Sequence, residues 1–405
     1  MKNLLVAQSG GPTAVINASL AGVIKGAVDN GDKIDKIYGC LNGIEGIETE
    51  NFVLLNDFKD ETKLRILKQT PSSYLGSCRK KLPTHEEDAA FYEKIFEVFK
   101  KNNIGYFLYI GGNDSMDTVD KLSKVAEKYG NETKIIGVPK TIDNDLALTD
   151  HTPGFGSAAK FVANSMRQLS LDTGVYKMPS VIVLEIMGRN AGWLTAAAAL
   201  GNDDKTKAAD IICLPETAFD VEEFLKKVDS VSKAQKTVMI ALSEGIKDKS
   251  GKYISEGTSG SREDKFAHAV LGGVGRTVEN HISTRLGLKT RTIELSTLQR
   301  CWAIGASLCD VNEAFDAGYS GVKFACEGMT GIMVGFKRTS SSPYVIEMVP
   351  YPVSEIANLE KKVPQSMITK DGFGVTDEFI KYAQPLIQGE PDILYKDGVI
   401  QFERL

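Results

Sequence analysis

Two carboxylates spaced two residues apart, with a lysine just ahead of them, are the groups in this chain best placed to do chemistry. They lie in Lys140-Thr141-Ile142-Asp143-Asn144-Asp145, directly after the apolar run KIIGVP. In extended backbone, residues i and i+2 project to the same side, so Asp143 and Asp145 face one space, and Asn144 can brace the turn between them. One carboxylate could take the proton of an attacking hydroxyl, as catalytic aspartates do in phosphoryl transfer. Lys140 adds a positive charge beside the reacting group. The plain alternative is an Asx-turn with two solvated aspartates.

Three further glycine-bearing segments follow apolar runs. Gly10-Gly11 precedes a helical stretch, where backbone N–H groups and the helix dipole favour a phosphate. Gly111-Gly112-Asn113-Asp114-Ser115 reads as a loop whose glycines let a ligand approach the backbone. Asn113 and Asp114 there can offer oxygens to a hard cation such as Mg2+. Met187-Gly188-Arg189-Asn190-Ala191-Gly192 puts an arginine after a glycine at a strand end, a setting suited to a phosphate or a sugar hydroxyl. Glu244, in ALSEGI, could accept hydrogen bonds from sugar hydroxyls. Arg291 and Arg300 flank TRTIELSTLQR, and two arginines near one site fit a phosphomonoester. Each of these has an ordinary surface alternative when taken alone.

The elements that must hold these segments alternate regularly. NLLVA, YFLYI, KIIGVP, SVIVLEI, ADIICLP and VMIALSEG read as buried strands, with helical stretches between most of them. That pattern predicts an α/β protein with parallel sheets covered on both faces by helices. Ligands of such sheets bind at the carboxyl ends of the strands, where all of these polar segments fall. A break between two α/β domains is expected near residue 150, where DHTPGFG supplies a proline and two glycines. The expected division is 1–150 and 151–299, with 300–350 returning to the first domain through a helix (CWAIGASLCDVNEAFDAGYSG) and a strand (GIMVGF). Residues 351–405 are expected to be an extension.

Bulk composition narrows the function. The 405 residues carry a net charge of −5, which argues against a nucleic-acid partner. The N-terminal apolar run ends at Gln8, too early for a signal peptide core of roughly 7–15 residues, and no run approaches the ~20 apolar residues of a membrane helix. The six cysteines are scattered with no C-x-x-C pair, as expected of reduced thiols in a cytoplasmic protein, and the four histidines show no metal-ligand spacing. Any bound metal is expected to take oxygen ligands.

Taken together, SGGPTAVINA, GSCRK, GGNDS, PKTIDND, FGSAA, MGRNAG, SEG and LQR resemble the phosphofructokinase family, in family order over about residues 4–330. The resemblance implies two Rossmann-like three-layer α/β/α domains with the active site in the cleft between them. It implies Mg2+ as cofactor, sugar phosphate as substrate and a homodimer or homotetramer. ATP-using members usually carry glycine where this chain has Asp114, and diphosphate-using members carry aspartate. The physics agrees: a carboxylate ~4 Å from a phosphate charge costs about 4 kcal/mol at an effective dielectric near 20, a penalty ATP would meet and diphosphate would not. Lys140 replaces a glycine found in many ATP-using bacterial members.

By this resemblance the chain is expected to transfer a phosphoryl group reversibly between diphosphate and the C1 hydroxyl of fructose 6-phosphate. Asp143 would be the general base, Asp145 the second carboxylate, and Lys140 would support the transfer. Gly10, Gly11, Arg79, Gly112, Asp114 and Lys140 would surround the diphosphate. Thr141, Asp143, Met187, Gly188, Arg189, Glu244, Arg291 and Arg300 would form the sugar phosphate site, and Asn113 and Asp114 would meet the metal. Asp114 and Lys140 would select the donor. Three positions depart from the family pattern. Asn113 replaces a metal-linked aspartate, Thr297 replaces a histidine or tyrosine near the sugar, and Ser180 replaces an arginine that reaches the neighbouring subunit's site. An ATP-dependent kinase and a non-catalytic family member that binds sugar phosphate are the alternatives.

Overall fold

Leu4-Leu5-Val6-Ala7 is buried at every position, so this segment needs cover on both faces. It forms the middle of β1 (Lys2–Gln8). The structure is a computed structural model that describes residues 1–254 and 273–405. The chain continues through β2 (Ile34–Cys40), β3 (Phe52–Leu54), β4 (Ile104–Gly111) and β5 (Lys134–Pro139). It then builds a second sheet from β6 (Ser180–Ile186), β7 (Ile211–Cys213), β8 (Thr237–Ser243) and β9 (Lys289–Glu294). Finally it returns to the first sheet with β10 (Ile332–Ser341) and β11 (Tyr344–Pro352).

Among the described residues the first sheet has the order β11-β10-β5-β4-β1-β2-β3 and the second β7-β8-β6-β9. The second sheet is parallel throughout. In the first, β2-β1-β4-β5-β10 are parallel, and β3 and β11 close the edges antiparallel. Side chains alternate across each sheet. Leu5 and Ala7 face the helices Ala89–Lys101 and Asn113–Lys128, whereas Leu4 and Val6 face Ile16–Asp29 and Leu308–Cys326. These last two helices approach closely because each has a glycine at the crossing. A Cβ on Gly22 would lie 1.9 Å from the Phe315 carbonyl oxygen, and one on Gly318 would lie 2.0 Å from that of Ser19. In the second sheet Ile182, Leu184 and Ile186 pack on the helix Phe155–Gly174, and Val181 and Val183 pack toward Val221–Ala234 and Val274–Leu286. The result is two three-layer α/β/α units.

Three features differ from the sequence expectation. The helix after β4 begins at Asn113, so Asn113, Asp114 and Ser115 form its first turn and are not a loop. The strand β9 was not distinguished from its flanks; it is an edge strand with Lys289, Arg291 and Glu294 exposed, so it lacks the continuous apolar run that marks its neighbours. The expected break at 350 falls inside β11, which pairs with β10 from Tyr344 to Pro352. Beyond it the chain is no appendage. Val363, Met367, Ile368, Phe379 and Leu386 are buried in the same core as Leu184 and Trp193, so this stretch completes the second unit, while Val353 and Ile356 pack into the first-sheet core with Leu5 and Phe107. Among the described residues no helix is long and apolar enough to cross a membrane, and all six thiols are free.

Candidate active site

The carboxyl ends of β1, β4, β5, β6 and β8 open onto one cleft of about 640 Å3, a volume suited to small ligands. At the end of β1, Gly10 has φ +75°, a left-handed conformation that favours glycine. The Lys140 amine stands 3.2 Å from where a Gly10 Cβ would be, and the Arg300 guanidinium 3.3 Å from one on Gly11. A side chain at either position would therefore crowd a cation of the cleft. At the end of β4, Gly111 has no room for a Cβ, which would fall 2.0 Å from Ser115 Oγ. The Ser9 and Ser115 hydroxyls, 2.5 Å apart, tie the two strand ends together.

The segment after β5 is held from several sides. The Thr141 N–H donates to the Pro153 carbonyl at 3.1 Å, and Thr141 Oγ1 accepts from the Asp143 N–H at 3.1 Å. Asn144 takes φ +54°, the left-handed turn that asparagine tolerates. Its buried amide donates to the Tyr382 hydroxyl at 2.8 Å and accepts from the Lys361 amine at 3.4 Å. Asp143 and Asp145 both line the cleft. Asn144 is thus a brace between two presented carboxylates, and the solvated Asx-turn does not describe them.

Electrostatics follow from this crowding. Burial raises Asp143, against the pull of Lys140 and Arg189. Burial and the Asp143 charge together push Asp145 up to about 7. Burial brings Lys140 down to about 8, although the two aspartates oppose it. Its amine donates to the Gly11 carbonyl at 2.7 Å. Asp145 and Lys140 are thereby brought to titrate near neutral pH beside Asp143.

The second unit supplies the opposite wall. The Gly188 N–H donates to Glu244 Oε1 at 3.3 Å, and the Ser243 hydroxyl donates to the Gly188 carbonyl at 2.6 Å. A Cβ on Gly245 would fall 1.9 Å from the Arg189 carbonyl oxygen, so the loops after β6 and β8 pack backbone to backbone. Arg189 Nε is buried with no hydrogen-bond partner, and its guanidinium lines the cleft, as an anion site requires. Burial raises Glu244 to about 7. Burial and the Arg79 charge lower Arg300.

Gly10, Gly11, Arg79, Gly112, Asn113, Asp114, Lys140, Thr141, Asp143, Asp145, Met187, Arg189, Glu244 and Arg300 therefore surround one space. Two expected residues do not. Gly188 shapes the wall from behind through Glu244. Arg291 lies on β9 opposite Ile182, exposed and away from the cleft, because it sits three residues short of the strand's carboxyl end. Thr297 is exposed and also outside it. The Asn113 amide is committed to the tail at both ends, accepting from the Asn358 N–H at 2.6 Å and donating to the Leu359 carbonyl at 2.6 Å. Sequence reasoning missed Asn190, Asn358, Leu359 and Glu360, which line the same cleft. Asn190 lies within MGRNAG; the other three carry no local signal.

As to a divalent cation, no three histidine, cysteine, aspartate or glutamate side chains among the described residues are placed to hold one by themselves. Mg2+ in phosphoryl-transfer sites takes one or two carboxylates and completes its shell with substrate phosphates and water. Asp114 on one wall and Asp143 and Asp145 on the floor meet that modest demand.

Two parallel three-layer units with acid, amine and guanidinium groups converging between them define a phosphoryl-transfer enzyme of the α/β class. The family model described as Phosphofructokinase matches residues 3–325, and the chain belongs to that family. It is 42% identical over its whole length to a protein of Methylococcus capsulatus named pyrophosphate–fructose 6-phosphate 1-phosphotransferase, covering 96% of it. A protein of the same name from Xanthomonas campestris is 43% identical over 100% of this chain and 96% of that relative. A crystal structure of pyrophosphate-dependent phosphofructokinase from Nitrosospira multiformis superposes with a TM-score of 0.90 at 40% identity, covering 100% of this chain and 96% of that one. A more distant relative, from Alkalicoccus urumqiensis, is named sulfofructose kinase and is 32% identical over 90% of this chain and 91% of its own.

Proposed function

We propose that the chain transfers a phosphoryl group from diphosphate to the C1 hydroxyl of fructose 6-phosphate, giving fructose 1,6-bisphosphate and phosphate, in glycolysis and gluconeogenesis. The observation that carries the donor assignment is Asp114, a carboxylate in the first turn of the helix after β4 and on the cleft wall. A third phosphate would meet its charge; diphosphate ends before it. The full-length relatives named for the same reaction support this reading.

Asp143 takes the C1 hydroxyl proton as that oxygen bonds to phosphorus, the bridging P–O bond of diphosphate breaks, and phosphate leaves. Lys140, held against the Gly11 carbonyl, offsets the charge that spreads over the transferred group, and Arg79 reaches it from the facing segment. Asp145 keeps Asp143 basic. Arg189 and Arg300 take the 6-phosphate, while Thr141, Met187 and Glu244 position the sugar. Asp114 would hold Mg2+, which would supply neutralisation of donor charge. The diphosphate anhydride and the sugar phosphate ester differ modestly in transfer potential, so the reaction runs in both directions. Family members are usually symmetric oligomers; we read this chain as a cytoplasmic homodimer or homotetramer.

The test compares diphosphate and ATP as donors with fructose 6-phosphate and Mg2+, following fructose 1,6-bisphosphate. Strong turnover with diphosphate and little with ATP is expected. Turnover with ATP alone would overturn the donor assignment, and turnover with neither would favour a non-catalytic binder. The relative named sulfofructose kinase motivates one added arm, in which sulfofructose replaces fructose 6-phosphate.

A further inference from the structure

We propose that the tail segment Asn358-Leu359-Glu360 is a further selector against nucleotide donors, beside Asp114 and Lys140, clasped in place by the Asn113 amide; this rests on the diphosphate reading above. Both ends of that amide hold the tail: Asn113 Oδ1 accepts from the Asn358 N–H and Nδ2 donates to the Leu359 carbonyl, each at 2.6 Å. An aspartate at 113 could make the first contact but not the second, since its oxygen would face a carbonyl oxygen. The departure from aspartate at this position is thereby explained as a clasp.

The clasp continues across the helix. One turn on from Asn113, Asp117 Oδ1 accepts from Asn358 Nδ2 at 3.0 Å. Its other oxygen pairs with the Lys121 amine at 2.8 Å, and that amine also donates to the Leu82 carbonyl at 2.9 Å. On the far side, Glu360 Oε1 accepts from Asn190 Nδ2 at 2.8 Å, so the strap also reaches the loop after β6. A hydrogen-bonded chain thus runs from the second unit, over the tail and the helix, to the segment that carries Arg79.

A nucleoside attached to a phosphate beside Asp114 would have to leave along the helix face shared by Asp114 and Thr118, which are one turn apart. Arg79, Lys80, Lys81 and the strap line the same cleft as that face, and Lys121, further along the same helix, is tied to the Leu82 carbonyl. Asp114 and the strap act on different parts of a donor. Asp114 opposes the charge of a third phosphate, and the strap opposes the width of a nucleoside. Inorganic tripolyphosphate has the first without the second, so it separates them.

The experiment measures kcat/KM for diphosphate, tripolyphosphate and ATP, each with Mg2+, in the wild type, Asp114→Gly, Asn358→Gly and the double variant. Asn358 is exposed and has φ +63°, so glycine keeps its backbone conformation while removing the tie to Asp117. Asp114→Gly is expected to raise tripolyphosphate use by roughly a hundred-fold or more while ATP gains far less. Adding Asn358→Gly is expected to raise ATP use by about a further tenfold, the equivalent of one strong hydrogen bond, and to leave tripolyphosphate unchanged. Asn113→Asp on the Asp114→Gly background should reproduce that selective gain. Equal gains for ATP and tripolyphosphate in Asp114→Gly, or no selective ATP gain on releasing the strap, would overturn the proposal. Absence of diphosphate turnover in the wild type would instead remove the underlying reading, and the strap's role with it.

Discussion

Asp143 and Asp145 share one floor and oppose each other's ionisation, so they titrate as a pair. Asp145 is raised to about 7 by burial and by the Asp143 charge. As pH falls the pair gains a proton, and a general base at Asp143 loses its function once that proton resides on it. Asp145→Asn removes the negative charge that resists Asp143 ionisation. The acidic limb of kcat/KM for fructose 6-phosphate should therefore move to lower pH relative to wild type, measured with the same substrates so that their own titration cancels. A limb that stays in place, or moves up, would sink the assignment of Asp145 as a charge partner. Asp143→Ser should lower kcat by ~10²–10⁴-fold, the usual worth of a positioned base. Fructose 6-phosphate binding, read by calorimetry, should remain close to that of wild type. Preserved turnover would take Asp143 out of the base role.

At the scale of elements, the catalytic segment depends on a piece of chain more than two hundred residues away. The Lys361 N–H donates to the Asp145 carbonyl at 2.7 Å, and its amine donates to the Asp150 and Thr149 carbonyls at 2.7 and 3.1 Å. Burial brings that amine down to about 8, against the nearby Asp150 and Asp145 charges. Lys361 and Tyr382 together fix Asn144, and with it the direction of both carboxylates. Lys361→Met should cut kcat by ~10–100-fold through misplacement, with the KM for fructose 6-phosphate little changed. Because a positive charge beside Asp145 is lost, the acidic limb should move to higher pH, a shift that a merely structural role would not produce. The fold class and most of the cleft could be read from the sequence, because buried parallel strands leave continuous apolar runs and their polar successors fall at strand ends. What the sequence hid was long-range. Arg291 looked like a ligand beside Arg300, yet its place on an edge strand turns it away from the cleft. Asn113 looked like a weakened metal ligand, yet its amide is spent on a tail whose own residues carry no motif. Lys361 is one lysine among many until the chain returns beneath Asn144.

At the scale of the whole molecule, a buried charge network joins the chain just after the catalytic segment to the helix and hairpin that return to the first sheet. His151 Nδ1 lies 2.8 Å from Asp150 Oδ1, and Nε2 lies 2.6 Å from Glu313 Oε2. Arg338 on β10 also binds Asp150 at 2.8 Å, and the Tyr344 hydroxyl on β11 donates to Glu313 at 2.5 Å. Burial by itself would lower the His151 pKa, but Glu313 and Asp150 outweigh it and the imidazole ends raised. A histidine raised above its unfolded value of about 6.5 stabilises the fold fully below that pH. The contribution is lost as pH rises through the folded value. Stability to urea should accordingly decline from neutral to mildly alkaline pH. Glu313→Gln keeps the shape but leaves the imidazolium one carboxylate short, and should cost about 3 kcal/mol at neutral pH. It should also flatten the alkaline decline, because less of the His151 shift remains to be lost. Glu313 also raises Cys309 and Tyr344, so the two profiles are compared below about pH 8, short of the range where a free thiol or phenol titrates, and their difference there reports His151. Parallel profiles would mean that the imidazole is neutral in the fold and that the network is held by the Asp150–Arg338 pair alone.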